Sequence, residues 1–316
     1  MFRVLFLVAV ATLLIPTSVE AKRIGVVHTP LQKLVRADTV VVGKVTTFEK
    51  DTVDATPVPG VKDKQAYKIA IIKIESSLLG EANTTHVKVG FIPPPPGEEE
   101  TPATPPGRSI RTGFEPVYLT KDMEALFFLT KHHSGEFYII NTTLAPTDNT
   151  MIEYKDHIAL AKRGGAVLTD PMKALKAEKA ADRLFAAGVL MNKYKAYPEG
   201  GGEVTTAKVS AEESKLLLQA LADGDWASIP NDRDAIGAYQ TFSMLGLTDK
   251  DGWQYPVVKP GEDLVIKTKE AFAKWLTGPG KNYQITKWAK YPNVVTKFSP
   301  VPDKKSYPHG DLQPGW

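Results

Sequence analysis

Six histidines, His28, His86, His132, His133, His157 and His309, are the first residues to weigh for chemistry, because imidazole binds metals and moves protons near neutral pH. Glu153 and His157 stand four residues apart and would share one helix face, a spacing that supplies two metal ligands. No third ligand lies near them, so a solvent-facing ion pair is the better reading. His132 and His133 are adjacent; on a strand they would project to opposite faces and could not ligate one ion. Asp249-x-Asp251-Gly252 has the spacing of a calcium loop, yet the first ligand position would be Leu247 and the twelfth Val258. That excludes an EF-hand and leaves a turn before Trp253. Cysteine is absent, which removes thiolate zinc sites and a thiol nucleophile. There is no Gly-x-Ser-x-Gly and no Ser-x-x-Lys with supporting partners. Gly200-Gly201-Gly202 follows a predicted helix and lacks the lysine of a phosphate loop. The 36 acidic residues define no particular pair. The sequence therefore assigns no catalytic, cofactor-binding or metal-binding residue, and points to a protein that is not an enzyme and needs no cofactor.

Aromatic residues are the remaining lead. Trp226, Tyr239, Trp253, Tyr255, Trp275, Tyr283, Trp288 and Tyr291 crowd the second half. Most are expected to pack between helices, and an exposed subset would form a face for a protein or a glycan.

The elements that must carry these residues begin with a long strand, Ala37 to Phe48, β-branched and apolar with Gly43 in its middle. Leu31, Leu34 and Val35 predict a turn or two of helix before it. After the polar loop 50–64, the segment from Tyr67 to Ile74 is apolar on both alternating faces, which predicts a strand covered on both sides. Leu78-Leu79-Gly80 ends it. Val87, Val89 and Phe91 alternate as a third strand; Glu124–Thr130 and Phe137–Ile140 are two more, joined by His132–Glu136 as a hairpin loop. Between the third and fourth strands a proline-rich loop occupies residues 92–116.

From Asp148 the character changes. Helices are predicted over 153–162, from Asp170-Pro171 to Tyr194, from the Ser210-x-x-Glu213 capping box, along Ile236, Tyr239, Phe242 and Leu245, and along Phe272, Trp275 and Leu276, with a last piece over 283–289. The expected fold class is α+β: a five-stranded OB-like β-barrel over residues 22–147, then an all-helical domain over 148–292 and a loosely held tail over 293–316.

Residues 1–21 read as a signal peptide. Arg3 precedes an apolar run from Val4 to Ile15, and Val19-Glu20-Ala21 offers a cleavage site after Ala21. Twelve residues of helix would span about 18 Å, too little for a bilayer. The expectation is an extracytoplasmic protein, periplasmic or secreted, with no membrane anchor after cleavage. A formal charge of +3, with no long basic run, argues against nucleic acid as a partner. The favoured function is that of an exported, non-catalytic binding or scaffold protein whose partner is another extracytoplasmic protein. An envelope hydrolase with its site between the two domains is the alternative.

Across roughly residues 28–142, Asp38-x-Val40-Val41-x-Gly43-Lys44-Val45, Tyr67-x-Ile69-x-Ile71 with Leu79-Gly80, and Leu119 with Glu124-x-Leu126-x-Phe128-Leu129 resemble the netrin-module and TIMP-like barrel family. The resemblance implies an OB-type barrel and a protein-binding habit, and a protease inhibitor as a further alternative. Inhibitory members set an N-terminal cysteine on the protease zinc, whereas the mature terminus here would be Lys22 and the family's disulfides are missing.

Overall fold

The computed structural model describes residues 28–80, 84–93, 117–227 and 236–290. The signal segment 1–21, nearly all of the proline-rich loop 92–116 and the tail 293–316 lie outside them. The elements are, in order, α1 (Pro30–Arg36), β1 (Thr39–Phe48), β2 (Val53–Ala55), β3 (Gln65–Leu79), β4 (His86–Phe91), β5 (Glu124–Lys131), β6 (Tyr138–Ile139), β7 (Thr147–Asp148), α2 (Tyr154–Thr169), α3 (Pro171–Leu175), α4 (Ala180–Lys195), β8 (Val204–Lys208), α5 (Ala211–Asp223), α6 (Ala238–Ser243), α7 (Leu264–Thr277) and β9 (Thr286–Lys290). The molecule is mixed α+β, with one large sheet. Among the described residues no helix is long and apolar enough to cross a membrane.

The short helix α1 forms because Pro30 opens it and Thr29 caps it. The Gln32 amide N–H donates to Thr29 Oγ1 at 3.4 Å, and Gln32 Oε1 accepts from the Thr29 N–H at 3.1 Å. Its buried face, Leu31, Leu34 and Val35, feeds the chain into β1.

Strand β1 is antiparallel to β3 along one edge and to β5 along the other. β4 pairs with β3 and, in parallel, with β6; β6 pairs with β5. The sheet has seven strands rather than five, because β2 and β7 add short pairings to β3 and β5. The β1–β3 register shifts at Gly43, where a side chain would put its Cβ 2.6 Å from the Lys73 carbonyl oxygen. Only glycine lets the two backbones approach so closely.

Alternation assigns the two faces of the sheet. Val41 and Val45 of β1 and Ala125, Phe127 and Leu129 of β5 pack with Ala70, Ile72, Val87, Val89 and Phe91. Their neighbours Val40, Leu126 and Phe128 point the other way, into a second core shared with α1 and with helices of the second half. Burial on both faces is why β5 is apolar without interruption.

The second half is not all-helical. β8 and β9 form an antiparallel ribbon, Val204 opposite Lys290 and Lys208 opposite Thr286. The segment expected to be a final helix over 283–289 is therefore strand β9, with Thr286, Trp288 and Lys290 exposed and Lys287 and Ala289 half-buried between them. That period of two is a strand's, and five residues are too few for a hydrophobic stripe to declare a helix. α2 also runs past the expected end at Lys162 to Thr169, through Gly164 and Gly165. Those glycines weaken the helical signal but permit contact: a Cβ on Gly164 would overlap Leu34, and one on Gly165 would overlap the Leu78 carbonyl. The Asp170 carboxylate caps α3 at the Lys173 N–H, and α3 and α4 are separate helices within one predicted segment.

Candidate functional site

His132 and His133 do not point to opposite faces. The chain has left β5 and turns at Gly135, whose φ is +80° and whose N–H donates to the His132 carbonyl at 2.8 Å. The two rings lie 4.2 Å apart. His132 is buried, stacked on Phe137 at 4.5 Å, and its nitrogens are occupied. Nδ1 accepts the Ser134 N–H at 3.2 Å, which leaves Nε2–H to donate to the Thr56 carbonyl at 3.0 Å. His133 Nε2 lies 3.0 Å from Thr56 Oγ1, and burial, then the neighbouring His132, hold its imidazole below the usual range. The pair pins the loop after β2 to the β5–β6 hairpin.

His157 and Glu153 meet at the start of α2, where the His157 N–H donates to the Glu153 carbonyl at 2.9 Å; the His157 ring lies 3.3 Å from Thr147 Oγ1. Among the described residues no three of His, Asp and Glu are grouped so as to hold a metal ion. Asp249–Asp251 is a single 3-10 turn before Trp253, as its sequence indicates. Asp251 Oδ2 accepts from both the Thr248 N–H and the Thr248 hydroxyl at 2.9 Å, and Gly252 leaves the turn at φ +69°.

The aromatics divide. Trp226, Trp253 and Trp275 are buried around Phe242 and Phe272. Trp226 Nε1–H donates to the Leu221 carbonyl and Trp275 Nε1–H to the Asp251 carbonyl, each at 2.8 Å. Tyr239 and Tyr283 are half-buried, and Tyr291 lies outside the described residues. Tyr255 and Trp288 are exposed. Trp288 is paired with Tyr197, itself 51% exposed, their rings 5.7 Å apart. Tyr197 carried no signal in the sequence beyond its place ahead of Pro198 at the end of α4. Lys195 donates to Thr286 Oγ1 at 3.3 Å beside this pair, and Lys290 lies on the same face of β9 as Trp288.

A cleft of about 400 Å³ opens where the entry to β1 meets the helices. Ala37 and Asp38, Leu79 at the end of β3, Leu168 and Pro171 from α2 and α3, Leu190, Lys193 and Tyr194 from α4, Glu213 from α5 and Lys287 from β9 line it. The helices place these groups by their caps. Ser210 Oγ accepts the Glu213 N–H at 3.2 Å, but the Glu213 carboxylate does not complete the expected box; it accepts the Tyr194 hydroxyl instead. Burial and then this carboxylate push the Tyr194 phenol far above the ordinary tyrosine range. Lys287 lies over the Tyr194 ring at 5.5 Å. Asp38 Oδ2 accepts the Lys131 N–H at 2.9 Å. The Lys193 ammonium makes no ion pair among the described residues. Burial drives its pKa below the ordinary lysine value, the Asp38 carboxylate opposes that, and Lys290 adds to it. None of these cleft residues was singled out in the sequence for chemistry, because they come from six separate elements and the segment entering β1.

The chain matches no protein-family model, and no curated protein matches it with significance.

Proposed function

We propose that this chain is an exported, non-catalytic binding protein whose partner is another extracytoplasmic protein, and that the exposed Tyr197–Trp288 pair on the α4–β9 face is its contact. The observation that carries this is the pair itself. Two large aromatic rings sit together in solvent although the same half of the chain buries three other tryptophans. Tyr and Trp concentrate binding energy when a partner desolvates them, and the flanking Lys195 and Lys290 favour a partner segment carrying carboxylates. Export through residues 1–21, with cleavage after Ala21, is part of the same proposal.

The fold proposed for residues 22–147 is an OB-type barrel related to the netrin and TIMP-like modules. The cycle of pairings β1–β3–β4–β6–β5–β1, with its parallel β4–β6 step, supports it. So does the glycine that bends β1 between two partners.

The test is capture from an extracytoplasmic extract by the purified, immobilised protein, beside Tyr197→Ala/Trp288→Ala and beside a form lacking the proline-rich residues 94–106. The expected result is one partner held equally by the first and third. The double variant should lose about 2 kcal/mol or more of affinity. Capture abolished by the loop deletion but not by the double substitution would move the contact to the loop and overturn this assignment. Retention on a glycan matrix in place of a protein would overturn the partner class.

A further inference from the structure

We propose that the cleft beside Lys193 binds a small apolar zwitterion, a short apolar peptide with free amino and carboxyl ends. Two cations, Lys193 and Lys287, and two carboxylates, Asp38 and Glu213, line one cavity, and none of the four forms an ion pair with another among the described residues. Their hydrogen bonds go elsewhere, Asp38 to a backbone N–H and Glu213 to a tyrosine hydroxyl. Lys193, Glu213 and Lys287 are half-buried and Asp38 is exposed at the rim, so charges of both signs face a shared, solvent-reached space and are free to receive a ligand of complementary charge. A simple anion would face Asp38 as well as Lys193; a simple cation would face Lys287 as well as Glu213. A molecule carrying one charge of each sign satisfies a lysine and a carboxylate together. The rest of the wall is Ala37, Leu79, Leu168, Pro171, Leu190 and the Tyr194 ring, which suits an apolar body between the charges. A volume of about 400 Å³ lies at the lower end of small-ligand sites and suits a di- or tripeptide. The nearest charged neighbours divide the work: Lys193 receives the ligand carboxylate and Asp38 its ammonium.

The Trp288 ring does not line this cleft, since Trp288 and Lys287 alternate to opposite faces of β9, although Lys290 on the Trp288 face lies near enough to Lys193 to act on its charge. Titration calorimetry of the purified protein with the dipeptide Leu-Leu, with its N-acetyl form and with its C-terminal amide tests it. Leu-Leu is expected to bind in the micromolar to millimolar range, and each cap to weaken binding about tenfold or more. Lys193→Met should weaken Leu-Leu by a similar factor and be indifferent to amidation. Asp38→Asn should be indifferent to N-acetylation, and Trp288→Ala should bind as the unaltered protein does. Absence of heat at millimolar Leu-Leu overturns the proposal, and so does equal binding of the free and capped peptides. Both of those readouts use the unaltered protein and stand even if a variant fails to fold.

Discussion

A single ammonium shows most clearly how placement changes chemistry. Lys193 would be unremarked in a surface helix, but its end of α4 is covered by the start of β1 and by β9, and no carboxylate sits close enough to pair with it. Its pKa in the folded protein is lowered from the value of 10.5 that it keeps when unfolded. Below the lowered value both states are protonated and the folded state bears the whole cost of burying the charge. Between the two values the unfolded chain holds a proton that the folded one has released, so stability rises with pH there. Lys193→Met should therefore raise the melting temperature at neutral pH. The gain should shrink as pH approaches 10.5, which thermal unfolding at a series of pH values will read. A gain that is constant with pH would mean that packing, not charge, is responsible. None of this is legible in the order of residues, since Asp38, Lys193, Glu213 and Lys287 converge only through folding. The histidines show the opposite case. Their imidazoles drew attention as possible ligands, yet His132 spends both nitrogens on Ser134 and Thr56, a loop whose position no local pattern announces.

At the level of elements, local patterns were informative wherever one face met a core and another met something different. The alternation along Val87, Val89 and Phe91 and the unbroken apolar run of β5 became strands in the expected places. α1, α3 and α5 begin at the caps their sequences carry. What the patterns missed has one physical cause: contacts between distant segments overrode weak local preference. α2 continues through two glycines because they are where α1 and the end of β3 press against it. Gly165→Ala improves intrinsic helix propensity, yet it should destabilise the protein by about 1–3 kcal/mol, since the new methyl overlaps backbone that cannot rotate away. Chemical denaturation will measure the loss, and a neutral or stabilising result would show that the helix can shift at no cost. The ribbon β8–β9 was missed for the same reason, each five-residue strand being recognisable only beside the other.

The whole molecule is joined by a core that ignores the midpoint of the chain. Leu31 and Leu34 of α1, the outward side of β1 and β5, and Phe272 and Ile285 near the end of the described chain belong to one buried cluster. All five tryptophans stand at residue 226 or later, so their fluorescence follows the second half, while far-UV circular dichroism also reports the sheet of the first. Because the cluster spans both, the two signals should change at the same urea concentration. Separate midpoints would mean that the sheet and the helices hold together independently. The ribbon carries a consequence in time as well as in space. Val204–Lys208 leaves the ribosome long before Thr286–Lys290, and the Val209 N–H waits equally long for the Ile285 carbonyl, which it meets at 2.8 Å. Lys287 arrives with that last strand. During synthesis the cleft is thus a half-walled notch, with Asp38, Lys193 and Glu213 already made, and its remaining wall is delivered only when the chain has grown 74 residues beyond Glu213.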